Sequence, residues 1–217
     1  MIITIDGPAG SGKSTVAETL ASLLGFYHFN SGSLYRGLTA YFIEQNIFEI
    51  NDEFTKKLKN LKIDVKFIDN VQHVYVNNID FTEKLRNSLV GELSPKFSVN
   101  TKIRKLVDNC QKKFTLNNNV VIDGRDIGSF VLPNAEYKFY LDCDINERAK
   151  RRYDELIKRG ESVTLDDIKS KIKKRDEFDM NKEIAPLKIP KNAIIVDSTN
   201  KTVQQVVDEM LKSIEIK

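Results

Sequence analysis

The chain has 217 residues, enough for one large domain or for one domain carrying an insertion. With 41% hydrophobic and 30% charged residues it reads as a globular protein with a sizeable core, and no apolar stretch approaches the ~18 residues of a membrane span. Its 34 basic and 31 acidic residues leave a net charge of +3, too even to indicate a nucleic-acid binder, and the lysine pairs at 56–57, 112–113 and 173–174 read as solvated surface.

The first element is a strand over 2–5, ended by Asp6 too soon for a signal-peptide pattern. Gly7-Pro8-Ala9-Gly10-Ser11-Gly12-Lys13-Ser14 follows and fits G-x-x-x-x-G-K-[ST], the phosphate-binding P-loop. Thr15 then opens a helix over 15–24. A strand, a glycine-rich turn and a helix N-terminus together aim backbone N–H groups and a helix dipole at an anion. In that setting Lys13 reaches the β- and γ-phosphates of ATP, and the Ser14 hydroxyl is the expected ligand of Mg²⁺.

A second strand, 27–29, runs into Asn30-Ser31-Gly32-Ser33-Leu34-Tyr35-Arg36 and a helix over 33–45. The end of a parallel strand is the ligand side of such a sheet. Ser31 is placed there to hydrogen-bond a small polar ligand and Arg36 to grip a phosphate. Taken alone, the pair reads equally as a capping serine and a solvated arginine. Strands at 63–68 and 73–76, a turn at Asp69-Asn70 and a short third strand at 79–81 break the alternation. They suggest a small antiparallel insertion between about 60 and 95.

After a helix over 101–116, a strand at 120–122 ends in Asp123-Gly124-Arg125-Asp126, again at a carboxyl end. A strand at 137–141 precedes a helix over 145–158, where Arg148, Arg151 and Arg152 share one face. Three like charges there need anions, either Glu147 and Glu155 or a transferred phosphoryl group. The helix over 165–181 sets Arg175, Asp179 and Lys182 on a common face. A strand at 193–196 and a helix over 202–214, capped by Ser198 or Thr199, complete the chain. This alternation indicates an α/β fold with a mostly parallel, buried sheet.

Neither Cys110 and Cys143 nor His28 and His73 has metal-ligand spacing, and two cysteines make no disulfide framework, so reduced thiols and a cytoplasmic location are expected. Met180-Asn181-Lys182-Glu183-Ile184 is superficially similar to the guanine-reading N-K-x-D motif, but Ile184 occupies the aspartate position.

Together, D-G-P-A-G-S-G-K-S-T, N-S-G-S-L-Y-R, D-G-R-D-I-G, R-A-K-R-R and I-K-K-R-D with its downstream A-P-L resemble the bacterial cytidylate kinases, of the nucleoside monophosphate kinase group of P-loop kinases. The resemblance covers essentially the whole chain. It implies a P-loop NTPase-like five-stranded parallel sheet flanked by helices, with a small antiparallel β insertion. The CORE would be about 1–30, 98–153 and 183–217; the NMP-binding part, with the insertion, about 31–97; a short LID about 154–167, followed by a helix at 165–181. The implied activity is ATP-dependent phosphorylation of CMP and dCMP to CDP and dCDP by direct in-line transfer. The implied protein is a monomer with small-molecule substrates, acting on neither nucleic acid nor membrane.

The resemblance also assigns roles. Residues 7–15 would hold ATP, and Lys13, Arg148, Arg151 and Arg152 would serve the transferred phosphoryl group. Ser31, Arg104 and Asp126 would recognise cytosine, Arg36 and Arg125 the CMP phosphate, Arg175 and Asp179 the sugar hydroxyls. Lys182 stands where the family commonly has an arginine, and lysine lacks the planar fork for a bidentate base contact. Pro95, beside Ser94, stands where the family often has a sugar-contacting serine, and Asn30-Ser31-Gly32 replaces the usual D-[ST]-G.

Overall fold

In the computed structural model, which describes residues 1–215, each expected strand forms, most of them running on into a flanking polar residue. In chain order the elements are β1 (Ile2–Asp6), α1 (Lys13–Leu24), β2 (Tyr27–Asn30), α2 (Ser31–Glu44), α3 (Asp52–Leu58), β3 (Ile63–Ile68), β4 (Val71–Val76), β5 (Ile79–Asp80) and α4 (Ser88–Ser98). They continue with α5 (Thr101–Thr115), β6 (Val120–Asp123), β7 (Tyr137–Asp142), α6 (Ile145–Lys158), α7 (Leu165–Asn181), β8 (Ile194–Asp197) and α8 (Val203–Leu211). A sheet of five strands runs in the order β2-β6-β1-β7-β8, and a separate one of three in the order β3-β4-β5. The chain divides into two compact units, Met1–Phe26 with the residues from Asn119 onward, and Tyr27–Asn118.

In the first unit β1 lies parallel to both β6 and β7, and β7 parallel to β8. Strands covered on both faces must be apolar on both, and Ile3, Ile5, Val121, Ile122, Phe139 and Leu141 are all fully buried. Val16 and Leu20 of α1, with Val207 and Met210 of α8, join Ile3, Ile5, Phe139 and Leu141 in one apolar cluster. Ala149 and Leu156 of α6 form a smaller one with Ile168 and Ile172 of α7. The register that sets Ile5 beside Asp123 brings the carboxyl ends of β1 and β6 together. That edge is where ligands of parallel sheets bind.

In the second unit β3, β4 and β5 form an antiparallel meander. Both turns use paired residues with positive φ: Asp69 and Asn70 at 50° and 62°, Asn77 and Asn78 at 50° and 65°. This left-handed pair matches the twist of a two-residue hairpin, and Asn and Asp tolerate it best. Phe42, Phe54 and Phe97 pack with ring centroids 4.4 to 5.5 Å apart at the centre of this unit's helices. Asn30, Asn51, Asn87 and Asn100 cap its four helices through their side-chain oxygens.

Several local readings are corrected. Helices α3 and α4, a 3-10 turn at Thr82–Arg86 and a single π-turn at Ile127–Val131 were not anticipated. The last helix is capped by Thr202 in a capping box with Gln205, not by Ser198 or Thr199, and it ends at Leu211. By contrast, α6 ends at Lys158 and α7 starts at Leu165, as their sequence periodicity predicts.

Candidate active site

The P-loop joins β1 to α1, and its backbone is specified by glycine. A Cβ at Gly7 would sit 2.2 Å from the Leu141 carbonyl oxygen on β7, and Gly12 holds φ at 89°. Gly12 caps α1 without a side-chain hydrogen bond, so the helix's first N–H groups point into the loop. The Lys13 ammonium, 5% exposed, donates to the Pro8 carbonyl at 2.5 Å and to Ser11 Oγ at 3.2 Å. Burial first, and then the Arg125 charge, push Lys13 well below the ordinary lysine value, against the pull of Asp123, Asp6 and Asp179. A site that disfavours a buried ammonium to this degree favours a strong anion beside it. Ser14 Oγ donates to Asp123 Oδ2 at 2.8 Å, which sets two hard oxygens side by side at the mouth of the loop.

A cavity of about 330 Å³ opens on this loop, and Arg125, Arg151 and Arg152 line it with Gly12, Lys13 and Ser14. The three arginines of α6 therefore divide. Arg151 crosses the loop, donating to Glu147, to Ser198 Oγ and to the Ser198 carbonyl, with Nη1 3.7 Å from where a Gly12 Cβ would lie. Arg152 is half-exposed and pairs with Glu155. Arg148 is buried and does not line the cavity; its Nε donates to the Cys143 carbonyl and its Nη1 to the Ala9 carbonyl and to Asp176 Oδ2.

The loop after β6 carries Arg125 and Asp126. Asp6, at the end of β1, accepts the backbone N–H groups of Ile127 at 2.8 Å and Gly128 at 2.7 Å, one on each oxygen. The π-turn follows, with Val131 N–H on the Asp126 carbonyl and Leu132 N–H on that of Ile127. Arg125 Nε and Arg175 Nε both donate to Asp179 Oδ2 at 3.0 Å. Burial works to raise this carboxyl, but the charges of Arg125 and Arg175 hold it below its ordinary value. Lys182 Nζ stands 4.0 Å from Asp126 Oδ2, both side chains nearly buried. Asp179 thus ties Arg175 to Arg125, which also lines the P-loop cavity, and Lys182 meets Asp126, the next residue along the chain.

Ser31, Arg36 and Arg104 belong to the second unit. Ser31 Oγ accepts from Gln111 Nε2 at 2.6 Å, and Arg104, 4% exposed, lies on the same face of α5 two turns earlier. Arg36 Nη2 donates to Asn30 Oδ1 at 3.1 Å, and that oxygen also caps α2 through Ser33 N–H. Gln72 of β4 reads the Asn30 backbone on both sides, accepting its N–H at 2.7 Å and donating to its carbonyl at 3.3 Å, and donates to Ser33 Oγ at 2.7 Å. The insertion sheet therefore fixes the segment that carries Ser31 and Arg36.

Asp6, Gln72, Asp123, Asp176 and Ser198 escaped the sequence reading. Asp6 and Asp123 had a local signal, a carboxylate at the last position of a buried strand beside a P-loop. Gln72, Asp176 and Ser198 act across tertiary contacts that no spacing announces. Among the described residues no group of three or more His, Cys, Asp or Glu side chains is arranged to hold a metal. No described helix is long and apolar enough to cross a membrane.

The sequence model of the cytidylate kinase family matches residues 3–216. A cytidylate kinase of Carboxydothermus hydrogenoformans is 41% identical over 99% of this chain and 97% of its own length. One from Fusobacterium nucleatum is 38% identical over the same shares. The crystal structure of an uncharacterized protein from Eubacterium ventriosum aligns with 100% of this chain and 99% of its own at 15% identity and a TM-score of 0.50, a likeness of fold alone.

Proposed function

The chain belongs to the cytidylate kinase family, and on that premise we propose that it moves the γ-phosphoryl group of ATP to CMP or dCMP, releasing ADP with CDP or dCDP. The single observation that carries the proposal is the P-loop cavity, where Lys13 and Ser14 share one space with Arg125 and Arg151. An oxygen of the acceptor phosphate attacks the γ-phosphorus, and the bond from that phosphorus to the β–γ bridging oxygen breaks, leaving ADP. A phosphate monoester has a second pKa near 6, so the acceptor is largely dianionic at pH ~7 and needs no strong general base. Catalysis then rests on alignment and on neutralising charge.

In this reading residues 7–15 cradle the ATP phosphates, and Lys13, Arg151 and Arg152 face the transferred group. Ser14 Oγ and Asp123 fit Mg²⁺, which prefers a few hard oxygens completed by water and phosphate over a closed protein cage. When bound there it would supply positive charge to the β- and γ-oxygens. For the acceptor, Ser31, Arg104 and Asp126 would meet cytosine, Arg36 and Arg125 the phosphate, Arg175 and Asp179 the sugar, and Lys182 the base edge. The partition into CORE, NMP-binding part and LID belongs to the same reading, as does a cytoplasmic monomer, which the two free thiols suit.

Incubation with γ-labelled ATP, Mg²⁺ and CMP tests it directly. Label is expected in CDP, and Lys13→Ala should cut kcat/KM by about 10²–10³-fold. Label released only as inorganic phosphate, or near-normal turnover by the variant, would overturn the reading.

A further inference from the structure

Ala9, in the phosphate loop, is held on both of its peptide groups by side chains of other elements. Asp176 Oδ1 accepts the Ala9 N–H at 3.0 Å, and Arg148 Nη1 donates to the Ala9 carbonyl at 2.9 Å. The two side chains are themselves paired, Nη1 to Oδ2 at 2.5 Å, and each residue is 7% exposed. Arg148 Nε closes the arrangement on the Cys143 carbonyl at 2.9 Å, at the foot of α6. The loop also rests directly on these helices, since a Cβ at Gly10 would lie 3.4 Å from Arg148 Cβ and 3.9 Å from Ile172 Cδ1.

We infer that Arg148 and Asp176 form a clamp on the Ala9 backbone that fixes the phosphate-binding geometry of the P-loop, making both positioning residues for ATP and taking Arg148 out of the set that touches the reacting phosphoryl group. The inference rests on the reading of this loop as the ATP site.

Three physical points carry it. A loop with glycines at residues 7, 10 and 12 has little stiffness of its own. Fixing the two peptide planes that flank Ala9 fixes where the next N–H groups point. A buried ion pair adds little net stability over apolar residues of similar volume, so stability alone does not account for its placement. Arg148 belongs to α6 and Asp176 to α7, so the clamp also ties the loop to the two helices that bracket residues 159–164.

The test separates positioning from folding. The double variant Arg148→Met with Asp176→Leu removes both charges while keeping volume, and Arg148→Lys keeps the charge but cannot span all three oxygens. Equilibrium binding of Mg-ATP without acceptor, KM for ATP, KM for CMP and Tm are measured for each and for the parent chain. The expected result is a Kd and KM for ATP raised about tenfold or more in whichever variants fold, with KM for CMP within about twofold and the lysine variant no better than intermediate. Folded variants that bind Mg-ATP like the parent, or that lose ATP and CMP affinity equally, would overturn the clamp. A parent chain that fails to bind Mg-ATP would overturn instead the ATP reading on which it rests.

Discussion

The Asp6 carboxyl is fully buried, and burial pushes it up to about 7 although the Ile127 and Gly128 N–H groups pull the other way. The unfolded chain releases that proton near the ordinary value of 3.8. Between these values the folded state holds a proton that the unfolded state has lost. The group's contribution to stability is therefore complete below about pH 4 and is lost as pH rises through about 7. Asp6→Asn cannot ionise, so the stability difference between the parent and this variant should shrink by at most about 1.4 kcal/mol per pH unit across that window. Urea unfolding at acid and neutral pH checks it; a difference that stays flat or widens toward neutral pH would contradict the assignment. Asp80, Asp144, Asp179 and Asp197 are held low and slope the opposite way, but they cancel in the comparison. At this scale the P-loop was legible because its pattern is local: eight consecutive residues specify the turn, the lysine and the serine hydroxyl at the start of α1. The separation of Arg148 from Arg151 and Arg152 was not, because helical spacing gives a shared face and says nothing of what packs on it.

Among the elements, α2 and β4 carry the residues that the proposed function assigns to the acceptor, or that hold those residues in place. Gly37 lies in the middle of α2, where a Cβ would fall 2.5 Å from Val74 Cγ1. Alanine is the better helix former, yet Gly37→Ala should destabilise the protein by about 1–3 kcal/mol because the helix must back away from β4. Thermal unfolding settles this, and an unchanged or raised Tm would show that the packing yields. Gln72 should report on substrate instead of stability. Removing its three bonds to Asn30 and Ser33 frees the segment that holds Ser31 and Arg36. Gln72→Ala is therefore expected to raise KM for CMP about three- to tenfold with KM for ATP unchanged. Equal shifts for both substrates would assign Gln72 to general packing. The strands and the Asp69-Asn70 hairpin could be read from alternation and turn chemistry. Helix α4 could not, because Pro95 sits inside it and serine and glycine dilute its pattern. Nor could the π-turn at Ile127–Val131, which depends on Asp6 of another strand accepting its first two N–H groups.

At the level of the whole molecule, the strand order β2-β6-β1-β7-β8 decides which loops meet. It sets β1 between β6 and β7, so the loops leaving β1 and β6 meet at one edge. Periodicity indicated a parallel sheet, and the family resemblance five strands, but neither announced this order, which depends on tertiary pairing. The chain's division into compact units falls at Phe26–Tyr27 and Asn118–Asn119, so the second unit takes in all of α5. On the proposed reading, base choice turns on Lys182 beside Asp126, where lysine offers a point charge and no planar fork. The most direct test of the central claim is a coupled ADP-release assay with Mg-ATP, offering CMP, dCMP, UMP, AMP and GMP in parallel. The account predicts strong turnover with CMP and dCMP and little with the purine monophosphates. ADP release that does not depend on any acceptor would contradict it.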